Sequence, residues 1–296
     1  MDIFLTQNIK LRAIGWMVLN CFMAASVLSI VKYSSPHFDL SILLSSYHLV
    51  ATIIVAIMMV YFRYSIKTKI LYLHFLRSLL GVIAYFLYFH ALSITSMANV
   101  VALGYTDSIL TCMFSYILLK EHLDKTHLIN LALSFIGALM IIKPNTHIMN
   151  IGALMAGISA VLWALSNVII KIISKEDAAY LQLFYSNLFT FIFAGIIVIY
   201  KGKMSYITAP ITHSHSILLL AIMASIQSFA LFKSLSLVKA GIVMPFFIVS
   251  VIFVQIYGYI FFGEIQDRTE IAGTILVILV GLIQVFRIKR NTIPPY

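Results

Sequence analysis

Charge is scarce in this sequence. Only 10% of its 296 residues are Asp, Glu, Lys or Arg, while 62% are hydrophobic. An ordinary soluble domain carries about 25% charged residues. So little charge excludes a soluble globular fold, because no interior of this size hides that much apolar side chain from water. Disorder is excluded by the same figures, since it needs low hydrophobicity and high charge. Cysteine is nearly absent: Cys21 and Cys112 both fall within apolar stretches. That leaves no disulfide framework and no cysteine metal motif. The chain holds no G-x-x-x-x-G-K-[ST] run for an ATP motor, no G-x-S-x-G nucleophile and no H-E-x-x-H zinc site. Asp-rich pairs that would hold magnesium diphosphate are missing as well. No metal and no cofactor is expected.

What is there is long apolar sequence. The composition implies a polytopic membrane protein, whose solvent is largely hydrocarbon. Apolar runs of spanning length lie near 11–31, 40–62, 70–92, 97–119, 127–142, 151–172, 180–200, 215–236, 240–262 and 270–287. Ten spans of about 20 residues use about two-thirds of the chain, so no sizeable soluble domain fits. The first run reads as a helix, not as a removed signal, because no small-residue cleavage site follows it. The connecting loops, such as Ser34-Ser35-Pro36 and Lys143-Pro144-Asn145, are too short for domains of their own.

The net charge of +10 reads as membrane topology, not as nucleic-acid binding. With a cytoplasmic N-terminus, the inside segments hold 15 Lys and Arg and the outside segments hold 5. Both termini are therefore expected in the cytoplasm.

The chain also repeats itself. Ala91-Leu92-Ser93-Ile94 resembles Ser234-Leu235-Ser236-Leu237, and Glu121 matches Glu264, all at one offset of 143. The same offset pairs Ala98 with Gly241, Tyr116 with Tyr259, and Thr126 with Thr269. Each unit holds five spans, 1–145 and 146–296. Five is odd, so the second unit must enter the membrane from the opposite side. The expected fold is all-α, with ten transmembrane helices in two inverted five-helix repeats.

Several of these landmarks resemble a known family. Arg77-Ser78-Leu79-Leu80-Gly81 followed by Tyr88-Phe89-His90-Ala91-Leu92-Ser93 is similar to the third helix of EamA-type members of the drug/metabolite transporter superfamily. The run closing at Leu118-Leu119-Lys120-Glu121 resembles their fourth helix and its closing acid, which Gly263-Glu264 repeats in the second half, and Ser134-Phe135-Ile136-Gly137 up to Lys143-Pro144 resembles their fifth helix and the mid-chain boundary. The resemblance covers nearly the whole chain. It implies a ten-helix bundle, a cavity between the repeats and alternating access for small metabolites. One departure is clear. Many members have a proline in the fourth helix where this chain has Asp107-Ser108, whereas Met244-Pro245-Phe246 supplies one in the second half. That arrangement distantly resembles carriers of S-adenosylmethionine, without carrying their substrate over.

The candidate site rests on polar residues at spanning depth. Asp107 is the one acid deep inside a span, and a carboxylate there is costly unless paired, hydrated or protonated. Gly104, Asp107, Ser108, Thr111 and Ser115 share one broad helical face. Asp107 is either a substrate counter-ion or proton-coupling group, or a structural hydrogen-bonding residue. Span six carries the stripe Ser159, Trp163, Ser166 and Asn167, and span one carries Trp16, Asn20 and Ala24. The candidates for the cavity wall are Asp107, Trp163, Asn167, Asn20, Thr111, Tyr105 and Tyr85. Asp107 and His48 are the coupling candidates, with a helix–helix hydrogen bond as the plainer role for His48. Trp16 near an interface reads as belt. Arg77, Lys171 and Lys233 read as snorkelling cations, with attraction of an anionic group as the alternative for Arg77, the deepest of them; Glu121 and Glu264 read as caps or as partners of Lys125 and Arg268.

The expected function is secondary transport of a small polar metabolite, an amino acid or a nucleotide-like compound such as S-adenosylmethionine. The alternatives are a membrane enzyme or a scaffold. The expected partners are that small molecule and the lipid bilayer, not nucleic acid, and a second copy of the chain is a candidate. The Ile-, Phe-, Lys- and Asn-rich bias suggests a bacterial chain, hence the inner (plasma) membrane.

Overall fold

A computed structural model describes residues 2–34, 39–94, 103–121, 125–142, 151–202, 214–263 and 267–290. The elements within them are helices. The first half holds α1 (Asp2–Ser34), α2 (Leu40–Tyr61), α3 (Leu71–Ile94), α4 (Thr106–Leu119) and α5 (Lys125–Ile142). The second holds α6 (Ile151–Ile173), α7 (Ala179–Tyr200), α8 (Ser214–Leu237), α9 (Ala240–Phe247), α10 (Ser250–Phe262) and α11 (Arg268–Arg290). Helix is what such runs must form in hydrocarbon, where every backbone N–H and C=O needs a partner within the segment.

Among the described residues, seven of the expected spans are long and apolar enough to cross a membrane, and α9 with α10 count together as one of them. Thr106–Leu119, Leu128–Gly137 and Ile271–Ile283 are shorter apolar helices. The protein is apolar outside: Ile57, Val60, Ile196 and Ile275 are all more than half exposed. Its helix contacts instead use small residues. Ala13, Ala25, Ala51, Ala84, Ala156, Ala160 and Ala164 are fully buried. Lipid tails are as apolar as leucine, so close backbone approach, not burial of bulk, holds such helices together. Gly137 shows this between α5 and α11. A Cβ there would lie 2.7 Å from Val277 Cγ2 and 3.1 Å from the Gly273 carbonyl oxygen.

The main helix pairs all join one half to the other. α3 packs on α6, α1 on α8, α2 on α7, and α5 on α11. Exchanging the halves turns the first pair into the second and leaves the other two unchanged. This is the pattern of an inverted repeat about an axis between the halves.

The symmetry extends to details. Span nine, expected as one run over 240–262, is interrupted between Phe247 and Ser250. Pro245, inside α9, lacks the N–H that would bond the Gly241 carbonyl, and at the interruption the ladder tightens to i→i−3 bonds, Val249 N–H to the Phe246 carbonyl and Ile252 N–H to the Val249 carbonyl, each 3.0 Å. In the first half, residues 103 and 104 are helical, Tyr105 is a turn, and α4 begins at Thr106. The offset of 143 places Tyr105 on Ile248, so both halves break the same helix at the same register. The ends match too. Lys120 (φ 54°) and Gly263 (φ 66°) are both left-handed C-caps, bonding back to the carbonyls of Ser115 and Gly258. Both of those pairs are again 143 residues apart.

Candidate functional site

A cavity of about 270 Å³ lies between the halves, with walls from α1, α2, α3, α6 and α8 and from both broken helices. It reaches Val31 and Leu40, where α1 ends and α2 begins, and stops at Arg77, Ile170 and Phe232. Beyond that end the side chains close up. Ala13, Met17, Met59, Ile170, Phe232 and Leu235 are at most 1% exposed and form one apolar cluster.

The helix breaks put polar groups on the cavity wall. Asp107 stands in the first turn of α4, where the helix dipole favours a carboxylate. It is 5% exposed, and its Oδ1 accepts from Ser108 Oγ at 3.1 Å. Its counterpart at the offset of 143 is Ser250, which opens α10 and also lines the cavity. Ser250 Oγ donates to the Phe247 carbonyl at 2.7 Å and lies 3.0 Å from Tyr105 Oη, which therefore donates to it.

Trp163 of α6 forms the aromatic wall. Its ring lies 5.6 Å from Tyr85 edge-on and 5.1 Å from Tyr88. Asn167, one turn on, donates to Thr111 Oγ1 at 3.2 Å. Asn20 lines the cavity, and its Oδ1 has no hydrogen-bond partner. His48 Nδ1 donates to Asn187 Oδ1 at 2.8 Å, while its Nε2 has no partner. Arg77 also lines the cavity. Its guanidinium lies 4.7 Å from the centre of the Phe232 ring, with Nε and Nη1 unpartnered.

Polar contacts between the halves gather beyond the closed end. Lys171 Nζ lies 2.9 Å from Glu121 Oε1 and donates to the carbonyls of Leu235 at 3.2 Å and Val238 at 2.6 Å. Glu121 Oε2 accepts the Ala240 N–H at 3.0 Å, at the start of α9. Ser234 Oγ donates to the Ala13 carbonyl at 2.8 Å. Asp177 Oδ2 accepts from Thr68 Oγ1 and lies 2.8 Å from His74 Nε2.

The model of the EamA-like transporter family matches residues 11–143 and 150–286. The chain belongs to the EamA-like transporter family. Among its relatives, the S-adenosylmethionine uptake transporter of Rickettsia prowazekii is 24% identical over 78% of this chain and 77% of its own length. The pseudopaline exporter of Pseudomonas aeruginosa is 27% identical over 73% of this chain and 75% of its own length. A protein of known crystal structure shares the fold, with a TM-score of 0.78 and 14% identity over 94% of this chain and 98% of its own. The chain is thus an integral membrane protein and a metabolite transporter.

In this EamA-like transporter the cavity wall holds Asp107, Trp163, Asn167, Asn20, Tyr105, Tyr85 and His48 together. Thr111 stands behind the wall and reaches the cavity through Asn167. Trp16 does not reach it and packs edge-on against Phe229 at 5.8 Å. Three charged residues differ from expectation: Lys171, Glu121 and Arg77, which lines the cavity. Lys171 does not snorkel, because its nitrogen has three oxygens around it and is 7% exposed. Glu121 pairs with this Lys171, while Lys125 is exposed. Glu264 lies outside the described residues. The expected list lacked Ser250 and Tyr88. The offset of 143 reaches Ser250 from Asp107, and the α3 stripe of Arg77, Gly81, Tyr85 and Tyr88 reaches Tyr88 at helical spacing.

Proposed function

We propose that the chain moves a small polar metabolite of the S-adenosylmethionine or amino-acid kind across the bacterial inner membrane by alternating access. The observation that carries this reading is the pair of matched helix breaks, in units 1–145 and 146–296, meeting at one cavity. Broken helices place half-helix ends and unpaired polar groups at the membrane midplane, where carriers bind cargo. Exchanging the conformations of two similar halves would close the end at Val31 and Leu40 and open the end beyond Arg77. Both termini are cytoplasmic in this reading, so the closed end faces the cytoplasm.

Asp107 is the charge used in the cycle, as counter-ion to a cationic group or as the proton-coupling carboxylate. His48 is the second coupling candidate, because one ring nitrogen is committed to Asn187 and the other is free. The titratable groups near Asp107 are Tyr88, Tyr105 and, on its own helix, Cys112, and His48 and Arg77 line the same cavity. Uptake by the full chain in proteoliposomes, over a panel of amino acids and nucleotide metabolites with and without a pH gradient, tests the reading. Transport without ATP is expected, and Asp107→Asn should remove its dependence on pH. Wild-type rate and pH profile in that variant would make Asp107 structural.

A further inference from the structure

The cavity wall holds one carboxyl group and one guanidinium, and they do not meet. Arg77 stands at the closed end, with two guanidinium nitrogens lacking partners and its charge 4.7 Å from the centre of the Phe232 ring; Tyr85, His48 and His74 are the titratable groups near it. Asp107 stands at the helix break, bonded to its own neighbour Ser108. Among the described residues, neither forms an ion pair with any other side chain. Tyr88, eleven residues beyond Arg77 on α3, packs against Gly104, one turn before Asp107. Eleven helical residues rise about 16 Å. The two charges therefore sit toward opposite ends of one cavity, with the Tyr85–Trp163–Tyr88 wall between them.

A purely cationic cargo would satisfy Asp107 and leave the guanidinium without a partner. A purely anionic one would do the reverse. Unpaired charge kept from water is the costly outcome at both ends. From this arrangement we infer that the cavity selects a zwitterion carrying a flat ring. Its carboxylate sits on Arg77, its cationic centre, several bonds away, sits on Asp107, and its ring lies against Trp163. The planar guanidinium suits a carboxylate because its two N–H groups match the two oxygens. The aromatic wall suits a ring and a cation alike. Arg77 is then a specificity residue for the acid end of the cargo.

This inference rests on the carrier reading but is tested by binding, so the two can fail separately. The purified full chain is titrated with S-adenosylmethionine, with its decarboxylated form, and with S-adenosylhomocysteine, which keeps the carboxylate but has a neutral sulfur. Wild-type protein should bind S-adenosylmethionine at least about tenfold more tightly than either analogue, the discrimination typical of one charged hydrogen-bonded group. Arg77→Gln should lose the preference over the decarboxylated form and keep the preference over S-adenosylhomocysteine. Asp107→Asn should show the opposite pattern. Arg77→Lys keeps the charge and should keep most of the preference, which separates lost charge from lost fold. Equal affinity for the decarboxylated form, an unchanged preference in Arg77→Gln, or no binding of S-adenosylmethionine at all would overturn the proposal. The uptake panel would still decide whether the chain is a carrier.

Discussion

Replacing Lys171 by methionine removes the cation that joins the two halves beyond the closed end of the cavity. The Lys171 and Glu121 side chains are 7% and 15% exposed and lie 2.9 Å apart. Little water reaches the pair, so the small value of a surface salt bridge does not apply. Breaking such a pair by removing one partner costs about 3–5 kcal/mol, because the remaining charge stays buried and uncompensated. Methionine also gives up the bonds to the Leu235 and Val238 carbonyls, whereas Glu121 keeps the Ala240 N–H. The expected loss for Lys171→Met is about 3 kcal/mol or more. Glu121→Leu strands the lysine and the Ala240 N–H and should lose a similar amount. The double variant strands no charge. It should be more stable than the sum of the two losses by more than about 1 kcal/mol, as for residues in direct contact. Reversible unfolding of the purified protein in mixed detergent and denaturant micelles measures all three. Losses that add to within about 0.5 kcal/mol would refute the pairing as a stabilising contact.

Other expectations follow from the same geometry. Cysteine at Lys201 should react with an impermeant thiol reagent from outside intact cells, and cysteine at Lys67 should not, in a background lacking Cys21 and Cys112. The reverse pattern would invert the topology. Gly137→Ala must displace Val277 or the Gly273 carbonyl, so it should cost about 1–3 kcal/mol in the same unfolding assay, as overpacking does. No loss would mean that α5 and α11 have room to spare. Trp163→Phe should weaken cargo binding less than Trp163→Ala, since a ring is retained. Equal affinities in both variants would remove Trp163 from the binding wall.

The class of solvent, seven of the spans, the repeat and the place of Asp107 within an apolar run were legible along the chain. Those features are sums or spacings along the chain: hydropathy over about 20 residues, one offset of 143, one acid within an apolar run. The polar stripe of span six was legible for the same reason, and Trp163 and Asn167 do share a cavity face. Which cations stay at the interface was only partly legible, Arg77 being the deepest by residue count. Arg77 and Lys171 both lie near the same side by residue count, yet Lys171 is caged by oxygens from Glu121, Leu235 and Val238 while Arg77 lines the cavity. Helix rotation and the partner brought by the neighbouring helix decide that outcome, and packing sets both. The two tryptophans divide as their positions along the spans suggested: Trp16 packs on Phe229 and Trp163 lines the cavity. The offset of 143 already pairs Asp107 with Ser250 along the chain; that the two share one cavity was decided by the fold, because the helix breaks that bring them there form where the two halves meet.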